Sequence, residues 1–150
     1  MYKASIRALL RHSVKRLNAG DPSVLLKLAA PDMQLAFPGD NSWATMYRPM
    51  VKGRGQHVTH DGVDECLAFA QRFADRGIQF KIEDILVNGP PWRIRIALRV
   101  HVYIPGPDST AGVDTYNNRA VAFLEARWGR LRTWEDYEDT ERVAAFDAAS

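Results

Sequence analysis

The densest set of side chains able to do chemistry lies near the end of the chain, in Trp134-Glu135-Asp136-Tyr137-Glu138-Asp139-Thr140. A carboxylate on a strand becomes a useful acid or base when burial brings its pKa toward neutrality. Arg99 and His101 offer a second group, two residues apart on one strand face. Histidine titrates near neutral pH, and arginine pairs with carboxylates and enolates. Asn117 and Arg119 form a third group, with the same parity as Val121 and Phe123. No spacing of His, Cys, Asp and Glu resembles a metal site, and there is neither a Gly-rich phosphate loop nor a nucleophile elbow. No cofactor and no metal are therefore expected.

These groups need strands to carry them. Ile94, Ile96, Leu98, Val100, Val102 and Ile104 alternate with Arg93, Arg95, Ala97, Arg99, His101 and Tyr103. That period predicts a strand over 92–104 with one dry face and one polar face. Further strands are expected at about 79–88, 115–128 and 130–138, with a tight turn at Trp128-Gly129-Arg130. Ahead of them, Ile6, Leu9, Leu10, Val14 and Leu17 recur at helical spacing, and Asn18-Ala19-Gly20 ends that helix. Asp21-Pro22 starts a short second helix closed by Pro31. Met33, Leu35 and Phe37 form a short strand, and a third helix, capped by Asp61 or Thr59 and carrying Val63, Leu67, Ala70 and Phe73, ends at Gly77. Residues 39–58 read as a long loop, whose Trp43, Met46, Tyr47 and Met50 imply that it folds over the core or a ligand. Helices first and strands last predict an α+β domain.

The chain has 150 residues, of which 46% are hydrophobic and 25% charged. That fits one soluble domain, 1–150, able to bury its own core. A net charge of +2 with scattered basic residues argues against nucleic acid. No apolar run reaches the length of a membrane span. The single cysteine, Cys66, excludes an internal disulfide, fits a cytoplasmic location, and is expected mid-helix, buried and inert. The His57 and His60 pair is expected at the surface.

Asn18-Ala19-Gly20-Asp21 followed by Ala30-Pro31-Asp32 resembles the opening of SnoaL-like proteins and ketosteroid isomerases. Tyr116-Asn117-Asn118-Arg119, Trp128-Gly129-Arg130-Leu131 and Glu135-Asp136-Tyr137-Glu138-Asp139-Thr140 look like the closing strands of the same nuclear-transport-factor-2-like superfamily. The resemblance implies a cone-shaped curved antiparallel sheet wrapped around three helices and enclosing a pocket. It also implies a homodimer through the outer sheet face. The superfamily holds isomerases, polyketide cyclases, epoxide hydrolases, dehydratases and non-catalytic binders, so the resemblance speaks to fold more than to function.

Aligned with the ketosteroid isomerases, Ser13, Phe37 and Val121 stand where their tyrosine and two aspartates would be, which removes that catalytic set. Trp134 to Asp139 is similar to the Trp-Arg-Asp-Tyr-Phe-Asp motif of limonene-epoxide-hydrolase-like enzymes, with Asp136 at the catalytic aspartate. Arg99-Val100-His101 is similar to their Arg-x-Asp, with His101 replacing the acid. The resemblance thus implies Asp136, Arg99 and His101 as catalytic. It implies Arg119, Asn117, Phe37, Trp43, Trp134 and Phe123 as substrate-binding. The ligand would be small, apolar or oxygenated, and no membrane partner is implied. Two functions stay open: a cofactor-independent cyclase, isomerase or epoxide hydrolase, and a non-catalytic ligand-binding or dimerisation domain.

Overall fold

The apolar alternation of Ile94–Ile104 places one continuous dry face against the helices, and the rest of the architecture follows from covering it. The structure is a computed structural model that describes residues 1–38, 57–107 and 114–149. Its elements are α1 (Tyr2–Asn18), α2 (Ser23–Leu26), β1 (Ala29–Pro38), β2 (His57–Asp61), α3 (Val63–Asp75), β3 (Gln79–Asn88), β4 (Ile94–Ile104), β5 (Tyr116–Arg127), β6 (Arg130–Glu138) and α4 (Thr140–Ala149). The strands form one curved, open sheet in the order β2-β1-β6-β5-β4-β3. Neighbouring strands run antiparallel except β1 and β6, which pair in parallel. This is the α+β architecture expected, with α1 to α3 on the inner side of the sheet and α4 added after β6.

The core is where those layers meet. Leu10 of α1 and Phe69 and Phe73 of α3 pack with Leu98, Val100 and Leu124 of the sheet. Leu98 is fully buried, and each such aliphatic side chain contributes about 1.5–3 kcal/mol. The end of α1 is pinned to the edge strand by Asn18. Its Nδ2 donates to Phe80 O and its Oδ1 accepts from Phe80 N, each at 2.8 Å. Asp21 accepts from Ser23 N at 3.1 Å, satisfying a donor that the start of α2 leaves open. Hydrogen bonds from Ser23 and Arg16 hold the Asp21 carboxyl down at about 2.

Three local expectations change. The second helix stops at Leu26, and Pro31 lies inside β1 rather than closing a helix. His57–Asp61 is a strand, because it pairs with Gln34–Pro38 as an edge. His60 is buried, not at the surface, and its ring lies on Phe69 with centroids 4.4 Å apart. The β5–β6 hairpin turns at Trp128 and Gly129, with φ of 49° and 74°. Both residues of a two-residue turn then have positive φ, the type I′ geometry that matches strand twist. No helix among the described residues is long and apolar enough to cross a membrane.

Candidate functional site

An irregularity in β6 decides which side chains meet the helices. Leu131 pairs with Ala126 but Thr133 pairs with Glu125, so β6 carries one extra residue there. A bulge shifts the side-chain alternation by one. Leu131 is buried before it; after it Trp134, Asp136 and Glu138 are partly buried, while Glu135 and Tyr137 between them are exposed. The acidic segment is thereby split. Asp136 and Glu138 face inward, while Glu135 faces out and pairs with the Tyr137 hydroxyl at 3.1 Å.

Trp134 and Asp136 border a cavity of about 70 Å³ between the sheet and the three N-terminal helices. One water needs roughly 10–15 Å³ by the same kind of measure, so the space admits several waters or a small ligand. Val14 of α1, Phe69 of α3, Phe37 of β1 and Leu98 of β4 line it. Asp136 is the one acidic side chain on the wall among the described residues. Trp134 Nε1 donates to Asp136 Oδ1 at 3.1 Å. On β5 the positions opposite Asp136 and Glu138 are Ala122 and Ala120.

Glu138 is the group that sequence reasoning passed over. Its Oε1 is sealed from solvent and has no hydrogen-bond partner among the described residues. Burial first, then the charges of Asp136 and Asp139, push its carboxyl up to about 9. Beside it stands a buried polar pair, Tyr116 and Asn118. Asn118 Nδ2 donates to the Tyr116 hydroxyl at 2.9 Å and to Asp139 O at 3.1 Å. Burial and the Glu138 charge raise the Tyr116 phenol above its ordinary range.

Of the residues expected at the site, Asp136, Trp134 and Phe37 border the cavity. Arg99, His101, Arg119, Asn117 and Phe123 do not. Cavity-lining Leu98 and Val100 belong to the other face of β4, and buried Asn118, Ala120, Ala122 and Leu124 to the other face of β5. Arg99 lies 3.3 Å and Arg119 4.0 Å from Glu83, on the outer surface. His101 Nε2 is 2.9 Å from Asn117 Oδ1 and its ring stacks on Tyr103. Phe123 is 53% exposed, in an edge-to-face contact with Tyr137. The physical reason is the dry face of β4: burying its six aliphatic side chains outweighs any arrangement that turns arginines inward. Trp43 lies outside the described residues, as does most of the 39–58 loop.

Cys66 is fully buried, with Sγ 3.4 Å from His60 O, and burial pushes its thiol up to about 11. Among the described residues no group of three or more His, Cys, Asp or Glu converges as a metal site.

With a curved sheet, an internal apolar cavity and a carboxylate on the last strand in place, comparison with known proteins is informative. The sequence model of a family described as SnoaL-like domain matches residues 10–134. The chain belongs to the SnoaL-like domain family. A search of curated proteins finds no match. Among solved structures, this SnoaL-like chain is similar to an NTF2-like protein from Burkholderia pseudomallei. They are 20% identical over 94% of this chain and 95% of that one, with a TM-score of 0.65. Bal32a, from a soil-derived mobile gene cassette, is 16% identical over 94% and 95% of the two chains, with a TM-score of 0.65. A de novo designed protein with a curved β-sheet is 17% identical, covers 99% and 96%, and also has a TM-score of 0.65. Identities this low establish the fold alone.

Proposed function

We propose that this SnoaL-like chain is a cofactor-independent acid–base enzyme of cyclase, isomerase or epoxide-hydrolase type, acting on a small, apolar, oxygenated molecule. Asp136 is its general acid or base. The observation that supports this most is the Asp136 carboxylate on an otherwise apolar cavity wall, oriented by the Trp134 indole. A hydrophobic pocket with few placed polar groups is the usual form of a small-molecule site. Asp136→Asn tests it: turnover of small cyclic ketones or epoxides is lost while ligand-induced thermal stabilisation is kept.

A non-catalytic ligand-binding domain is the second reading. It is favoured by the outward direction of Arg99, His101 and Arg119, which takes the expected electrostatic helpers away from the cavity. A wild-type chain that is stabilised by such molecules and turns none of them over supports it.

For the outer sheet face we propose a homodimer contact. Leu86 and Phe123 are 61% and 53% exposed and lie in one cross-strand row through Ala97. Light scattering of Phe123→Lys tests this, with a dimer expected for the wild type and a monomer for the variant. A wild-type monomer across the concentration range contradicts it.

A further inference from the structure

Away from the cavity, the hairpin end of the sheet gathers exposed tryptophans and arginines. The β3–β4 and β5–β6 turns lie side by side there, joined by Trp128 N donating to Pro91 O at 3.2 Å. Trp92 and Trp128 crown the two turns, 55% and 75% exposed, with ring centroids 6.0 Å apart. Trp128 is the one non-glycine residue with positive φ among the described residues. That place in a type I′ turn favours Asn, Asp or Gly, so the indole is held there at a conformational cost. So exposed a side chain gains little burial in return.

The charges beside the tryptophans are mostly of one sign. Arg127 and Arg130 stand directly opposite each other across the β5–β6 hairpin. Arg93 and Arg127 each lie one residue beyond the Ile94–Ala126 pair, and Arg95 faces Glu125 one residue further in. All of these arginines are exposed. Glu125 is the acid among them, and Arg127 Nε holds it at 2.8 Å. Asp32 on β1 is taken by Arg132, also at 2.8 Å. Arg93, Arg95 and Arg130 have no ion pair among the described residues. Like charges placed opposite each other weaken a sheet, so the Arg127–Arg130 pair is kept at a cost that an anionic partner would offset. The net charge of the whole chain is only +2, so the excess is local to this end.

We propose that this end of the sheet docks reversibly on an anionic lipid surface, with Trp92 and Trp128 entering the headgroup layer and Arg93, Arg95 and Arg130 pairing with lipid anions. Indoles favour the membrane–water interface, and basic side chains on flexible stems reach anionic headgroups from beside them. The tryptophans cap two neighbouring turns rather than line a groove, which suits a flat partner. Nucleic acid also attracts arginine and tryptophan. The two rings, however, meet at 41° and leave no parallel slot in which a base could stack on both. The proposal does not depend on the enzyme reading, since neither the cavity nor Asp136 takes part. It is also separate from the Leu86 and Phe123 contact, which lies further along the strands.

The test is co-flotation of the full chain with vesicles of phosphatidylcholine alone or mixed with phosphatidylserine. Wild type is expected to float with the mixed vesicles only, and to be released in about 1 M salt, where the screening length falls to about 3 Å. Each arginine near such a surface is worth roughly fivefold in affinity, so Arg93→Glu with Arg130→Glu should weaken binding by at least about 25-fold. Neither arginine has an ion partner to lose among the described residues, so that variant should melt no lower than wild type. Trp128→Asn suits the turn and keeps the fold. It should bind the mixed vesicles more weakly and show a smaller blue shift of indole emission on binding. A wild type that does not float, or that floats equally with neutral vesicles, overturns the proposal. So does either variant binding as wild type does. An oligonucleotide that strips wild type from the vesicles by binding this end, or a wild-type dimer that Trp128→Asn dissolves, assigns the surface to another partner and overturns it as well.

Discussion

The Trp134 indole N–H reaches along β6 to the carboxylate of Asp136, with Nε1 3.1 Å from Oδ1. The two residues sit one strand repeat apart on the inner face, so a single backbone segment fixes both the cavity wall and the acid. Hydrogen bonds to charged groups are worth more than neutral ones, and a placed donor also fixes which oxygen faces the ligand.

Trp134→Phe keeps an aromatic wall and removes that donor. The variant is expected to fold, to lose about 1 kcal/mol of stability in urea denaturation, and to lose turnover more than ligand binding. Equal stability and equal kcat would show that the indole contact orients nothing.

Glu138 gives the chain a pH dependence of defined sign. Its carboxyl rises from 4.5 to about 9 on folding. Across that window the folded state holds a proton that the unfolded state has released. Stability from this group is therefore fully present at low pH and falls as pH rises toward the folded value. Glu138→Gln removes the effect. Near pH 8 it should melt at least about 2–4 °C above wild type, the shift that about 1 kcal/mol produces in a domain of this size. Near pH 4 the two should melt together. A gap independent of pH contradicts the buried, protonated assignment.

Arg99 and His101 lie on the surface opposite the cavity, with Arg99 against Glu83. Exposed ion pairs contribute about 0–1 kcal/mol. Arg99→Ala and His101→Ala should each change the melting temperature by only a few degrees and leave ligand-induced stabilisation at its wild-type size. A loss of ligand response in either would mean that the outer face takes part in binding.

Much of the fold was legible because β4 and its neighbours keep strict alternation, and because the α1 stripe has helical spacing. The bounds of β3 and β6 agree with the expected strands at both ends. β5 was harder to orient. Its buried side chains include small Ala120 and Ala122, while large Phe123 faces out. Size therefore pointed the wrong way there, although Arg119, Glu125 and Arg127 share the outward face. Glu138 was hidden for a related reason. In a run of acids each carboxylate reads as solvated, and only the β6 bulge and the pairing with Ala120 show which ones turn inward. Helix α4 was not foreseen, because its buried contacts rest on Val143 and on Phe146 against Tyr116 rather than on a full apolar stripe.

The central claim is that Asp136 performs acid–base chemistry inside this cavity. Its most direct test is turnover of a panel of small cyclic ketones and epoxides by wild type and Asp136→Asn, with ligand-induced stabilisation recorded on the same samples. The account predicts turnover of at least one compound by wild type, at least a roughly 100-fold loss in the variant, and the same stabilisation in both. Unchanged turnover in Asp136→Asn would contradict it.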